Sequence, residues 1–403
     1  MSNENKLIPE LRFPEFENDG DWEMKAIGDV FKSFSGGTPN TSEREYYGGK
    51  IPFIRSAEIN RDRTELFITE EGLKNSSAKI VDKGDLLVAL YGANSGDSSI
   101  CNINGAINQA ILCLQSEFSN AFTYNFLTLK KDLIVSKFIQ GGQGNLSGDI
   151  VKSITVPFPK KNEQQKIASC LSSLDEVIGA QSQKLDLLKD HKKGLMQNLF
   201  PQEGEKVPKY RFMEFENDGE WVKTKLGDSA IFINGRAYKQ EELLETGKYR
   251  VLRVGNFFTN NNWYYSDLEL EENKYCEDGD LLYAWSASFG PRVWRGEKVI
   301  YHYHIWKLLP SESISNDFLF VLLDNETERM KTQNANGFAL LHITKSTIEN
   351  WECKIPKSKI EQEKIASCLS SLDAFITSQA EKIEQLKLHK KGLMQGLFPK
   401  INE

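Results

Sequence analysis

Side chains suited to reading nucleic-acid bases gather in short polar stretches of this sequence. Arg, Asn and Gln pair bidentately with guanine or adenine edges, while Ser, Thr and backbone amides hold phosphate. One stretch holds Ser35, Thr38 and Asn40, and the next holds Arg55, Asn60, Arg61 and Arg63. Tyr91, Asn94 and Ser95 directly follow an apolar run, and Asn108, Gln109, Gln143 and Asn145 come later. A second set offers Arg236, Tyr238 and Lys239, then Arg253 and Asn256. Trp285, Ser286 and Ser288 occupy the post-strand position equivalent to Tyr91–Ser95, with Arg292 and Arg295 beyond. Loops are polar by default. The case for DNA contact therefore rests on equivalent loops recurring in two places with different residues.

Catalytic and metal chemistry find little to use. Gly141-Gly-Gln-Gly-Asn-Leu-Ser-Gly148 is glycine-rich but lacks the order of a phosphate cradle. There is no G-x-S-x-G elbow, no Asn-Pro-Pro-aromatic or Asp-Pro-Pro-Tyr tetrapeptide of an amino-methyltransferase, and no nuclease carboxylate–lysine cluster. His302 and His304 sit on a strand pattern that puts both imidazoles on one face, with His342 as a third imidazole further on. The acids nearby are not spaced as ligands, so packed or DNA-facing histidines are expected and no metal or cofactor is assigned. The chain reads as a non-enzyme.

An internal repeat supplies the elements that must position these loops. Residues Glu163–Pro201 and Glu361–Pro399 align without a gap at an offset of 198, with 27 of 39 positions identical. Glu15-Phe-Glu-Asn-Asp-Gly20 with Trp22 recurs as Glu214-Phe-Glu-Asn-Asp-Gly219 with Trp221. Ile167, Leu171, Leu174, Ile178, Leu185 and Leu188 step by three and four, as do Ile365, Leu369, Leu372, Ile376, Ile383 and Leu386. These are heptad seams, with Gln181 and Gln379, and Lys192 and Lys390, as matched polar positions. Pro201 and Pro399 end both helices at the same place. Two equal stripes in one chain predict helices that pack on each other. The expected divisions are 1–160, 161–201, 202–356 and 357–403: body, helix, body, helix. Strands are read at Asp85–Leu90, Ala110–Leu114, Ile154–Pro157, Asp280–Trp285 and Val299–Trp306, and shorter helices at Phe122–Leu133 and Asp317–Arg329. Mixed α+β is the expected class.

Composition sets the outer limits. The 403 residues include 50 Lys or Arg and 57 Asp or Glu, a net charge of −7. Charged residues make up 27% and hydrophobic ones 39%, which fits a globular protein of two or three domains. No apolar run approaches the roughly 20 residues of a membrane helix, and the start has no apolar signal core. Six cysteines without a C-x-x-C pair read as reduced and mostly buried. A cytoplasmic protein is expected.

Several motifs have a familiar order. Ser35-Gly-Gly-Thr-Pro39 stands before Tyr46-Tyr-Gly-Gly-x-Ile-Pro52, followed by Asn108-Gln109 and Gly141-Gly-Gln-Gly-Asn-Leu146. Pro157-x-Pro159-x-x-x-Glu163-Gln-x-x-Ile167 closes the first body, and the second carries Gly279-Asp-Leu-Leu-Tyr-Ala-Trp-Ser-Ala-Ser-Phe-Gly290 with His304-Ile-Trp-Lys307. In this duplicated frame the whole chain resembles the specificity (S) subunit of type I restriction–modification systems. One departure is Ile355-Pro356-Lys357 where the first body has Val156-Pro157-Phe158-Pro159, which predicts a differently built hinge.

The resemblance implies two strand-rich target-recognition domains separated by two long helices in an antiparallel coiled coil, with pseudo-two-fold duplication. It implies double-stranded DNA as ligand, two methyltransferase (modification) subunits and translocating, cleaving restriction subunits as partners. S-adenosylmethionine, ATP and magnesium would belong to those partners. Two other readings stay open: a non-catalytic scaffold whose bodies bind protein, and the recognition part of a fused type II enzyme. The acidity itself is uneven. Residues 1–160 carry −4 and 202–356 carry −6, while 161–201 carry +1 and 357–403 carry +2. Acidic bodies argue against this chain gripping DNA tightly without basic partners.

Overall fold

The computed structural model describes residues 7–117, 119–139, 145–257, 261–286, 289–334 and 343–401. It forms two compact units, one of residues up to Ser182 together with those from Glu381 onward, the other Gln183–Ala380. Each unit therefore contains one body and part of each long helix.

In the first unit the chain runs through β1 (Glu23–Ala26), α1 (Ile27–Val30), β2 (Lys32–Ser35), β3 (Tyr47–Ile54) and β4 (Leu66–Ile68). It continues with α2 (Glu70–Lys74), β5 (Lys79–Val81), β6 (Leu86–Ala89), β7 (Ser98–Ile100), β8 (Gly105–Ile107) and β9 (Ile111–Gln115). Helix α3 (Asn120–Ile139), the short α4 (Gly148–Ser153) and β10 (Thr155–Phe158) lead into α5 (Lys161–Leu199). The strands make two four-stranded sheets, β2-β9-β6-β7 and β4-β3-β8-β5, and the pair β1-β10. Within the second sheet β3 and β8 run parallel.

Strand β6 shows why its sequence is apolar throughout. Leu86 and Val88 face a core with Phe122, Phe126 and the long-helix residues Ile167, Leu171, Leu397 and Phe398. Leu87 and Ala89 face the opposite way, against Ile54, Val81 and Ile107 of the other sheet. A strand buried on both faces has no polar alternation to show.

The second unit repeats this plan. It comprises β11 (Val222–Lys225), α6 (Leu226–Ser229), β12 (Ala230–Asn234), β13 (Tyr249–Leu252), β14 (Tyr264–Ser266) and β15 (Tyr275–Cys276). Next come β16 (Leu281–Ala284), β17 (Gly290–Val293), β18 (Val299–Tyr301) and β19 (Ile305–Pro310). Helices α7 (Asn316–Asn334) and α8 (Lys345–Glu349) and strand β20 (Glu352–Ile355) precede α9 (Lys359–Leu397). The sheet orders, β12-β19-β16-β17 and β14-β13-β18-β15 with β11-β20, match the first unit strand for strand. Strands β13 and β18, in the equivalent place, again run parallel.

Inside each unit the start of one repeat helix lies with the end of the other. In the first, Asp175 of α5 meets Lys390 of α9 at 2.6 Å. In the second, Lys192 of α5 meets Asp373 of α9 at 2.7 Å. Of the seam residues, Ile167, Leu171, Ile365, Leu369, Leu372 and Ile383 are buried, and Leu174, Ile178, Leu185, Leu188, Ile376 and Leu386 are half-buried. The helix starts are latched to the bodies by buried ion pairs: Arg12 to Glu163 and Arg211 to Glu361, both at 2.8 Å.

The hinges differ by one residue, as the sequence departure predicts. Gln164 Nε2 donates to the Pro159 carbonyl at 2.8 Å, five residues back, while Gln362 Nε2 reaches Pro356, six back, at 3.0 Å. Both shorter helices extend beyond the sequence-derived spans. The strand read at Val299–Trp306 is a correction: it is two strands, β18 and β19, with a turn at Tyr303-His304. The chain must turn there because β18 belongs to one sheet and β19 to the other. No helix among the described residues is long and apolar enough to cross a membrane.

Candidate nucleic-acid interface

Topology gathers the loops that the sequence scatters. In the first sheet the last residue of β2, Ser35, pairs with Leu112 near the start of β9, and Ala89 at the end of β6 pairs with Ile111. Parallel pairing sets the end of β3 beside the end of β8, Ile54 opposite Ile107. Loops 35–40, 55–61, 90–95 and 108–110 therefore leave from one end of the body. The second body does the same with the ends of β12, β13, β16 and β18. There, Arg236–Lys239, Arg253–Asn256, Trp285–Ser286 and His302–His304 share one end. His302 thus takes the place of Asn108, Tyr303 that of Gln109 and His304 that of Ala110.

Backbone approach fixes the first of these loops. A Cβ on Gly36 would lie 1.8 Å from the Ile107 carbonyl oxygen, so no other residue passes there without displacing β8. Thr38 Oγ1 donates to Gln109 Oε1 at 2.8 Å, tying the two loops. Asn40 Oδ1 accepts from the Ser42 N–H and hydroxyl at 3.2 and 2.9 Å, closing a local turn. Thr38, Asn40, Asn60, Arg61, Tyr91, Gln109 and Asn145 are exposed, and Ser35 and Asn94 are half-buried. Asn145 Oδ1 accepts from the Gly92 N–H at 3.2 Å, which brings this residue to the Tyr91–Asn94 turn. Gln143 and Ser288 lie outside the described residues, as does His342.

Some candidates serve the fold instead of the surface. Ser95 is buried; its hydroxyl donates to the Leu90 carbonyl at 2.9 Å and accepts from the Leu146 N–H at 3.2 Å. Ser286 is buried too. Arg55 is clamped by Glu58 and Glu65, with Nε to Glu58 at 3.0 Å and Nη2 to Glu65 at 2.6 Å. Burial alone would raise the Glu58 carboxyl, but hydrogen bonds from Arg55 and from the backbone of Glu65 and Arg55 hold it at about 2. Arg236 forks onto Glu242 at 2.9 and 2.7 Å, and that carboxyl is likewise held at about 2, chiefly by the Arg236 hydrogen bond.

The second body replaces amides with rings. His302 and His304 lie 4.8 Å apart between centroids, not as two members of one strand face but within the turn. Trp285 stands edge-on to His304 at 4.9 Å, and its indole N–H donates to the Tyr303 carbonyl at 2.8 Å. Tyr238 stacks near His302 at 6.3 Å with its hydroxyl buried and lacking a hydrogen-bond partner. Burial, with the charges of His304 and Arg253, pushes His302 down to about 4, so this ring is neutral at physiological pH. Among the described residues there is no group of three or more His, Cys, Asp or Glu placed to hold a metal ion.

Sequence reading missed the clamps. Glu58, three residues after Arg55, was visible as a spacing; Glu242, six after Arg236, was not. Tyr264, whose ring lies 4.2 Å from the Arg253 guanidinium, becomes a neighbour only through the pairing of β13 with β14.

This architecture has relatives. A model of the type I restriction modification DNA specificity domain matches residues 19–190 and again 218–388. The MjaVIII specificity subunit of Methanocaldococcus jannaschii is 27% identical over 412 residues, covering 96% of this chain and 93% of that protein. The MjaIX specificity subunit of the same organism is 28% identical over 58% of this chain and 57% of its own length. In fold, the chain is similar to the crystal structure of the type I restriction-modification S subunit from M. genitalium. That similarity has a TM-score of 0.58 at 18% identity, over 98% of this chain and 100% of that one. With the family model matching both halves of a duplicated frame, the chain belongs to the type I restriction-modification specificity family as a DNA-binding specificity subunit, not an enzyme.

Proposed function

We propose that the chain reads a bipartite double-stranded DNA target, one half with each body, and holds two modification subunits and the restriction subunits on it. One observation carries this reading: equivalent loops, different in chemistry, leave the same end of the same strand arrangement in both bodies. In this reading residues 1–160 and 202–356 are target-recognition domains, and 161–201 and 357–403 are spacers. The base and backbone contacts come from those loop residues named above that are not committed to the fold, Gln143 and Ser288 included. S-adenosylmethionine, ATP and magnesium act on the partner subunits, and the complex works in the cytoplasm.

The spacer helices pack as an antiparallel coiled coil. Support comes from inside each unit, where the start of one helix meets the end of the other. Helix α5 has 39 residues. At 1.5 Å per residue such a helix reaches roughly 58 Å, so its length sets the gap between half-sites. The acidic bodies contribute base contacts while basic partners supply much of the phosphate grip.

Inserting one heptad into Glu163–Leu199 and mapping methylated adenines in cells that also express the modification subunit tests the reading. The unread gap is expected to lengthen with both half-site sequences retained. An unchanged gap would overturn the spacer role.

A further inference from the structure

We propose that Arg253 reads a guanine in the half-site of the second body, whereas Arg55 and Arg236 brace their loops and read no base. This rests on the DNA-reading role proposed above and adds which side chain reads which base.

Three arginines stand where strands end at the loop clusters, and two are already spent. Arg55 gives its Nε and Nη2 to Glu58 at 3.0 and 3.1 Å, and Nη2 also to Glu65 at 2.6 Å. Arg236 gives both Nη groups to Glu242 at 2.9 and 2.7 Å. A carboxylate and the O6/N7 edge of guanine present the same pair of acceptors to the same planar fork. A guanidinium held by one is therefore withheld from the other.

Arg253 is arranged differently. Among the described residues no carboxylate forms an ion pair with it. Its guanidinium lies 4.2 Å from the Tyr264 ring, and Nη2 gives one hydrogen bond to the Asn262 carbonyl at 3.2 Å. The backbone is braced as well: Asn256 Oδ1 accepts from the Arg253 N–H at 3.1 Å. Asn256 Nδ2 donates to the same Asn262 carbonyl at 3.1 Å. Nε is buried without a hydrogen-bond partner.

A stacked, braced guanidinium loses little freedom when it meets a ligand, and most of its donors remain uncommitted. Five donors and no acceptor match the two acceptors of guanine; adenine offers an acceptor beside a donor and is a poorer fit.

The test is methylome mapping in cells expressing the full chain with its modification subunit, comparing wild type with Arg253→Ala, Arg253→Lys and Arg236→Ala. One guanine of one half-site is expected to become degenerate in Arg253→Ala, with discrimination there falling about five- to 150-fold. Arg253→Lys, which keeps the charge but not the fork, fails to restore it, and the other half-site is unchanged. Arg236→Ala alters no single base preference.

Uniform weakening at all positions, with a salt slope reduced by about one, would mark a phosphate contact and overturn the proposal. An unchanged motif overturns it too. Should Arg253→Ala not assemble, Tyr264→Leu is expected to relax the same guanine, and an intact motif in that variant counts against the proposal. Absence of any sequence-specific methylation by the wild type would instead remove the DNA-reading role, and the guanine assignment with it.

Discussion

In the second unit Glu361 accepts hydrogen bonds from Arg211 and, at 3.3 Å, from the Trp221 indole. In the first, Glu163 accepts from Arg12, while the equivalent Trp22 keeps a buried N–H without a partner. The latch is thus duplicated in position but not in completeness. A similar asymmetry runs through the helix packed on each sheet. Phe122 and Phe318 occupy matching places, the first 5.1 Å from Phe398 and the second 5.9 Å from Phe200. One residue on, Thr123 is fully buried with an unpartnered hydroxyl, and its counterpart is Leu319, also fully buried. Strand order is kept identical while local satisfaction drifts.

The latch should show the largest effect. Removing one partner of a buried ion pair typically costs about 3–5 kcal/mol, because the other charge is stranded. Glu361→Ala strands Arg211 and the Trp221 N–H together, so it is expected to cost about 1 kcal/mol more than Glu163→Ala. Denaturation followed by hydrogen exchange at the starts of α5 and α9 would measure both, and equal costs would erase the difference between the units.

Acid should act next. Glu58 is held near 2 against an ordinary 4.5, a native-state gain on the order of 3 kcal/mol. Because the folded value is the lower one, this stability is complete above 4.5 and is lost as pH falls toward about 2. Glu58→Gln is expected to flatten the pH dependence of denaturation in that window. Glu242→Gln should flatten it less, its side chain being 17% exposed against 2% for Glu58. Identical profiles for the two variants would break the comparison.

The smallest effect is a gain. Thr123→Val, which makes the first unit resemble the second at this place, removes an unpaired buried hydroxyl and is expected to stabilise by about 1 kcal/mol. A raised thermal midpoint checks it; a lowered one would mean the hydroxyl has a partner.

Much of the frame was legible because it is written in periodicity. Heptads and terminal prolines mark α5 and α9, and the apolar runs at Leu86–Ala89 and Leu281–Ala284 mark the central strands. The turn between β18 and β19 was not legible. Val299–Trp306 is apolar and aromatic throughout, and only a switch from one sheet to the other breaks it. The candidate site was legible as residue types on loops. Their convergence and their commitments depend on strand order, which separates Arg253 from the clamped Arg55 and Arg236 though all three read alike in sequence.

The latches also bear on the order in which the chain can complete itself. The second unit is one continuous stretch, Gln183–Ala380. The first needs both its early residues and those after Glu381: the Leu11 N–H bonds to the Gly396 carbonyl, and Lys400 pairs with Glu10. During synthesis from the N-terminus, the body made first must therefore wait with an unfinished core until the last helix emerges. The body made second needs that helix only as far as Ala380 and can close before its end emerges. The Phe122–Trp22 core, which Phe398 completes, is then the part most open to capture by chaperones or by other chains.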